Sequence, residues 1–402
     1  MDKHAWREAE QGIGILGGSA SRQYSGRPEL VGLLRERIRA DGPMTFAKLM
    51  EAALYEPGLG YYASPATTEE GKPTWLADFQ TSPQVHPAFG WLVARELARV
   101  WDALGRPDPF VVVELGAGAG ELAEQIQASW AKEASGGALE YHCVERRIET
   151  LSASNGRIQG REWPGPVRSH RSWWSDLAAI ARAGIRAHCV LSNEFFDALP
   201  VHRVAWLGGA LREVFVDWTG DGFVERFGEP SSPALVARLR EMGLVFPEGW
   251  RGEICLRLDP VVAAVAALID RGVVLTIDYG VDPANPERRD TLVAYHRHHW
   301  SDDVFHRVGE QDLTSHVDFD ALLRIGRVHG LEPAGSTTQR EFLLGHGLAE
   351  EAERWVEVET SPARQWQARF AQAELVRPDG LGRLRVVAQQ KRVPGYNLAH
   401  GC

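Results

Sequence analysis

The sequence predicts an α/β fold built on a largely parallel sheet, with a helical N-terminal region and a β-rich insertion. Three observations carry this. Phe110-Val-Val-Val-Glu-Leu115 is β-branched and apolar, the composition of a strand buried on both faces. Gly116, Gly118 and Gly120 follow at alternate positions, and Leu122, Ile126 and Trp130 then recur at the four-residue spacing of one helix face. Ala187–Ser192 and Val273–Ile277 repeat the buried-strand signal later in the chain.

Taken in order, residues 1–28 carry glycine and serine and are expected to be loosely ordered. Gly12-Ile-Gly14-Ile-Leu-Gly17 has dinucleotide-fingerprint spacing, but no buried strand precedes it, so the match is assigned to chance. Residues 29–109 read as helical. Thr45 is placed to N-cap a helix bearing Phe46, Leu49, Met50, Ala53 and Leu54, ending near Pro57. Phe89, Leu92, Val93, Leu97, Val100, Trp101 and Leu104 form a second apolar stripe, read as core. The aromatic-rich loop from Gly58 to Pro87 is too long for a linker and is expected to cover substrate or cofactor. The core spans 110–200 and 271–392, with strands at 111–115, 139–144, 187–192 and 273–277 and late strands at 340–344 and 384–388 that would close as a hairpin. Residues 201–270 break the rhythm as an α+β insertion: a ribbon at 211–218, a helix at 234–242 and a strand at 253–258.

The bulk numbers exclude several classes. At 402 residues, 44% hydrophobic and 24% charged, the chain has the composition of a water-soluble protein of two to three domain equivalents. No apolar run approaches the roughly 20 residues of a membrane span, so no membrane partner is expected. A net charge of −10 argues against a nucleic-acid partner, since that binding rests on neutralising phosphates. Cys143, Cys189, Cys255 and Cys402 form no CxxC pair, and the N-terminus reads as neither signal nor transit peptide, so a cytoplasmic location is expected.

The chemistry concentrates at strand ends, where open parallel sheets bind ligands. In Glu114-x-Gly116-x-Gly118-x-Gly120 the bare backbone leaves N–H groups and a helix N-terminus facing a ligand. The spacing is not the pyrophosphate-binding G-x-G-x-x-G. It resembles the first motif of methyltransferases that use S-adenosylmethionine (SAM), whose ammonium group gives Glu114 a partner. Glu145 ends the second strand, where ribose hydroxyls are held. Ser192-Asn193-Glu194-Phe195-Phe196-Asp197-Ala198-Leu199-Pro200 sets an amide and two acids at the sheet edge, and Asp278-Tyr279-Gly280 follows the next strand. Asp197 is open between an acceptor role and capping a helix entered at Ala198. Trp173 and Trp174, after a weak strand near Val167, are open between flanking an adenine and forming an apolar rim, and Asp176 is counted with the cofactor set.

Asp78-Phe79-x-Thr81-Ser82-Pro83, the glycine turn, Asn193–Pro200, Ile277-Asp278-Tyr279-Gly280 and Asp312-Leu313-Thr314-x-His316-Val317-Asp318-Phe319 occur in that order. Together, over roughly residues 29–390, they resemble the MidA family, whose mitochondrial members act as protein-arginine methyltransferases in respiratory complex I assembly. The resemblance implies a seven-stranded Rossmann-like methyltransferase sheet with an added helical N-terminal part. Two departures stand out. The chain has Ala77 and Gln84 where the family usually has glycine and glutamate, and Ala117 and Ala119 where it often has proline and arginine. Losing an acid at Gln84 removes an anchor for a cationic substrate.

The expected assignment is therefore a SAM-dependent methyltransferase acting on a protein or peptide, with arginine nitrogen implied by the resemblance and a small-molecule acceptor as the alternative. A SAM-binding assembly factor with little turnover is the reading from another class. Asp78, Ser82, Glu114, Gly116, Gly118, Gly120, Glu145, Asp176 and Asn193 are expected to bind cofactor, and Glu194, Asp197, Asp278 and His316 to serve catalysis. For His316, base, substrate contact and packing all remain open. His296, His298, His299, His306 and His316 match no metal-ligand spacing, so no metal is expected; a polar lid, with Arg297 and Arg307 pairing Asp302 and Asp303, is the reading. Oligomeric state is not encoded in any of these signals.

Overall fold

β-Branched and apolar runs spaced along the chain assemble into a seven-stranded sheet. The computed structural model describes residues 26–64, 81–134, 137–146, 169–220, 222–280, 290–297, 299–358 and 361–398. They fall into two units, and the larger comprises Ala66–Leu199, Arg257–Pro286 and Ser315–Cys402. Its strands are β1 (Phe110–Leu115), β2 (Leu139–Val144), β3 (Ser169–Trp174), β4 (Cys189–Asn193), β5 (Gly272–Asp278), β6 (Glu332–Thr338) and β7 (Arg385–Lys391). Their order is β6-β7-β5-β4-β1-β2-β3. Pairs among β1 to β5 are parallel, whereas β7 runs antiparallel to both β5 and β6. Every residue of β1 and β5 is buried, as the apolar runs require.

The helices of this unit are α1 (Ser82–Val85), α2 (Ala88–Ala103), α3 (Glu121–Glu133), α4 (Leu177–Arg182), α5 (Leu258–Leu268), α6 (Phe319–Val328), α7 (Gln339–Gly345), α8 (Leu348–Val358) and α9 (Pro362–Leu375). The stripes read from sequence do face the core: Leu92, Leu97 and Trp101 of α2 join Leu122, Ile126 and Trp130 of α3 in one buried cluster. The Trp130 ring stacks on Phe110 at 5.3 Å, which ties α3 to the first residue of β1. Burying an indole of this size is worth about 5 kcal/mol. After β1 the chain adds β2 and β3 on one side and then β4 and β5 on the other. The switch lies between β1 and β4, so the crevice opens beyond Leu115 and Asn193.

The smaller unit comprises Met1–Pro65, Pro200–Leu256 and Glu287–Thr314. It contains the helices Pro28–Asp41 and Phe46–Tyr55, the second capped by Thr45, whose side chain accepts from the Lys48 N–H at 3.3 Å. Met44–Thr45 pairs with Val216 and Phe215 of the ribbon strand Ala210–Thr219. That pairing unites the first two helices with the ribbon, so residue 109 is not a unit boundary. Val204, Leu211, Leu235, Leu239, Trp250 and Ile254 form the core behind the ribbon.

Three sequence expectations change. Residues 340–344 are not a strand: Gln339–Gly345 is helical, and the strand is Glu332–Thr338. Thr338 caps that helix by accepting from the Glu341 N–H at 3.2 Å, and the Glu341 carboxylate accepts the Thr338 N–H at 3.1 Å. The strand expected to reach Leu258 ends at Ile254, and Leu258 starts α5 in the larger unit. Trp173 and Trp174 lie within β3 rather than after it. The glycine-rich match at 12–17 and residues 65–80 of the long loop lie outside the described residues. No described helix is long and apolar enough to cross a membrane.

Candidate active site

The crevice begins with backbone that only glycine adopts easily. Gly116, Gly118 and Gly120 have φ of +66°, +55° and +87°. The N–H groups of Gly116 and Ala117 donate to the Val144 carbonyl at 2.9 and 3.2 Å, pinning the turn to the end of β2. A Cβ on Gly116 would stand 2.9 Å from the Phe195 ring, and one on Gly120 would stand 3.0 Å from Trp173. A Cβ on Gly118 would meet no described atom within 4 Å. Gly118 therefore borders open space at the sheet edge. Its N–H donates at 3.1 Å to the carboxylate of Glu145, which is 6% exposed, so the acid after β2 braces the turn.

The second wall is the turn after β4. Glu194 sits at φ +50°, a left-handed conformation that costs a non-glycine residue about 1 kcal/mol or more. Its N–H donates to the Ile277 carbonyl at 2.8 Å, and its carboxylate accepts from Asn193 Nδ2 at 3.0 Å and from the Ser82 N–H at 3.4 Å. Asp278, with no exposed surface, fixes the rest of the turn. Its carboxylate accepts the N–H groups of Phe195 at 3.1 Å, Phe196 at 2.8 Å and Tyr279 at 2.8 Å. Burial raises its pKa to about 7, against the pull of these backbone donors. The Ser315 N–H reaches the Asp197 carbonyl at 2.9 Å and the Val317 N–H reaches the Tyr279 carbonyl at 2.8 Å. His316 is thus held between these two anchor points, its ring stacked on Tyr279 at 6.4 Å. Arg383 lies over the same tyrosine ring at 5.5 Å.

The structure brings Ser82, the glycine turn, Glu145, Asn193, Glu194, Asp197 and His316 to this one edge of the sheet and places other expected site residues elsewhere. Glu114 is 3% exposed and accepts the Tyr141 hydroxyl at 2.8 Å; burial pushes its pKa up to about 8. The acid expected to meet an ammonium group is engaged within the sheet instead. Asp176 is exposed and caps α4, accepting from the Ala179 N–H at 2.7 Å, which holds its pKa down. Asp278 is an anchor for backbone, not a group open to an acceptor. Asp197 caps no helix, because a turn runs from it into Pro200. Gln84 closes a capping box, its Oε1 accepting the Thr81 N–H at 3.1 Å. Glutamine serves that position as well as glutamate does, so the departure says nothing about cationic substrates. Asp78 lies outside the described residues.

Two contributors were missed by sequence reasoning. Tyr141 stands two residues before Cys143, the register partner of Glu114, so alternation along β2 puts it on the Glu114 face. Gln339 has no local signal: its Oε1 accepts the buried Ser82 hydroxyl at 2.9 Å, across 257 residues of sequence. Among the described residues no group of three or more His, Cys, Asp or Glu is placed to hold a metal ion.

The strand order, with its antiparallel β7, the glycine turn and the acid-bearing turn after β4 together define a SAM-dependent methyltransferase. The cofactor fits the residues present at the open space beside Gly118, where bare backbone borders the sheet edge. A family described as "Putative S-adenosyl-L-methionine-dependent methyltransferase" matches residues 92–337, and the chain belongs to that family. It is 31% identical over 370 residues to the mitochondrial protein arginine methyltransferase NDUFAF7 homolog of Drosophila melanogaster, covering 83% of this chain and 81% of that one. The Mus musculus mitochondrial protein arginine methyltransferase NDUFAF7 is 30% identical, over 78% and 73% of the two chains. A crystal structure from Burkholderia thailandensis bound to S-adenosyl-homocysteine superposes with a TM-score of 0.75 at 27% identity, over 95% of this chain and 97% of that one. The expected cytoplasmic location is corrected by these findings, since the curated relatives are mitochondrial.

Proposed function

We propose that the chain transfers a methyl group from SAM to a guanidino nitrogen of arginine in a protein, with Glu194 as the acceptor-side acid. The carrying observation is the left-handed backbone of Glu194 at the end of β4. Strain of that kind persists where the surrounding structure over-determines a conformation, and Asp278 supplies that determination here. A carboxylate is the group best suited to hold a guanidinium. The names of the curated relatives support an arginine acceptor.

In this reading Gly116 to Gly120 and Glu145 hold the cofactor, with Glu145 at the ribose. SAM supplies a methyl carbon whose bond to sulfur breaks, the electron pair staying on sulfur, while the acceptor nitrogen's lone pair forms the new bond and one N–H proton departs. The protein's part is alignment. Glu194 orients the guanidinium and offers its carboxylate to the departing proton, and Phe195, packed on Gly116, keeps water from that edge. His316 and Asp197 line the acceptor side.

The test is transfer of tritiated methyl from SAM to protein in a lysate, followed by acid hydrolysis. Radioactive methylarginine is the expected product, and label recovered only as base-labile methyl ester refutes the proposal. Glu194→Gln should keep S-adenosyl-homocysteine affinity within about twofold and cut turnover at least about 100-fold, since a neutral amide cannot hold or deprotonate the cation. Equal loss of both, in titration and rate assays on one preparation, moves Glu194 to the cofactor site.

A further inference from the structure

We infer that the amide oxygen of Asn193 binds the methyl acceptor by taking an N–H of its nitrogen, making Asn193 a second contact residue for the acceptor. The inference rests on the methyl-transfer reading of this site. It goes beyond that reading by placing a second contact atom on the acceptor.

The argument starts from a hydrogen-bond chain that fixes the amide. Gln339 has no exposed surface; its Nε2 donates to the Leu375 carbonyl at 2.9 Å and its Oε1 accepts the Ser82 hydroxyl at 2.9 Å. Ser82, equally buried, turns its N–H toward the Glu194 carboxylate at 3.4 Å. The same carboxylate oxygen accepts Asn193 Nδ2 at 3.0 Å. A carboxylate accepts and cannot donate, so this contact decides which way the Asn193 amide faces. Nδ2 is committed to Glu194 and Oδ1 is turned away from it.

That oxygen is buried, in a residue 9% exposed, and no donor reaches it among the described residues. A buried acceptor left without a donor costs about 1–3 kcal/mol, so the site favours a ligand that brings one. An acceptor oxygen can receive only N–H or O–H. The ribose hydroxyls of the cofactor are assigned to Glu145, on the β2 side of the glycine turn, whereas Asn193 shares its hydrogen bond with the acceptor-side acid. A guanidinium presents several N–H groups along its planar edges. Glu194 and Asn193 then hold two of them, the first by charge and the second by a neutral contact that fixes the plane.

The test uses isothermal titration on the full chain saturated with S-adenosyl-homocysteine. The probes are ethylguanidinium, ethylammonium and tetramethylammonium, the last a cation without N–H. Ethylguanidinium is expected to bind and tetramethylammonium to bind far more weakly. Asn193→Ala should weaken ethylguanidinium at least about fivefold and leave S-adenosyl-homocysteine affinity within about twofold. Asn193→Ser keeps a group that can both donate to Glu194 and accept an N–H, and should retain more probe binding than the alanine variant; it also serves if the alanine variant does not fold. If ethylammonium binds in an Asn193-dependent manner while ethylguanidinium does not, the arginine reading fails and this inference stands. The inference is overturned if Asn193→Ala leaves probe binding unchanged or weakens S-adenosyl-homocysteine about tenfold. It is equally overturned if no N–H probe binds in an Asn193-dependent manner.

Discussion

Single residues set the limits of the site. Gly118 is the one glycine of the turn whose missing side chain leaves open space rather than preventing a clash. Gly118→Val should abolish S-adenosyl-homocysteine binding in a calorimetric titration, because its methyl groups fill that space. The left-handed backbone adds about 1–2 kcal/mol of destabilisation, visible in melting. Undiminished affinity would remove the turn from the cofactor site. Glu114 yields a prediction in pH. Its pKa is about 8 in the folded chain and in the ordinary carboxylate range when unfolded, so the native state keeps a proton that the unfolded chain releases. Stability then falls as pH rises from about 4 to 8. Glu114→Gln retains an acceptor for Tyr141 and should flatten that decline by a few kcal/mol, about 1.4 per pH unit at most, in urea midpoints measured at pH 5 and 8. Residue-level legibility divided along the same lines. The glycine spacing and the Asn193–Asp197 run were readable because they are local patterns. The duties of Glu114, Asp176 and Asp278 were not, because an acid at a strand end serves as ligand, cap or anchor according to which donors the fold brings to it.

At the scale of elements, apolar periodicity was a sufficient guide wherever a long run faced the core. β1 and β2, and the buried faces of α2 and α3, follow from it with little adjustment. It failed at Arg340–Leu344, where three apolar residues after a charged pair imitate a strand. The competing signal was present: Thr338-Gln-Arg-Glu341 is a capping box, and satisfying two orphan N–H groups starts a helix there. Thr338→Ala should therefore cost about 1 kcal/mol in urea unfolding without changing cofactor affinity. A loss below a few tenths of a kcal/mol would mean that α7 is held by Phe342 and Leu343 in the core and not by its cap. The division into units was less legible, because pairing of Met44–Thr45 with the ribbon joins segments about 170 residues apart. No local pattern encodes such a contact.

For the whole molecule, the family assignment makes cofactor binding a property of the folded state alone. S-adenosyl-homocysteine at a hundred times its dissociation constant should stabilise the chain by about 2.7 kcal/mol, raising the melting temperature, whereas NAD at the same concentration should not. Stabilisation by NAD equal to that by S-adenosyl-homocysteine would contradict the methyltransferase class. The topology has a further bearing on how the chain is made. Among the described residues β6 pairs in the sheet with β7 alone, and β7 must also close against β5. The segment from Gln339 to Leu384 intervenes. At a synthesis rate of about 5–20 residues per second, Glu332–Thr338 leaves the ribosome some seconds before the strand it must pair with exists. During that interval β5 has an open edge, and an unpaired edge is a template for another chain. Assembly of this half of the sheet is thus tied to completion of β7, and a ribosome stalled between these strands holds a nascent chain that a chaperone must shield.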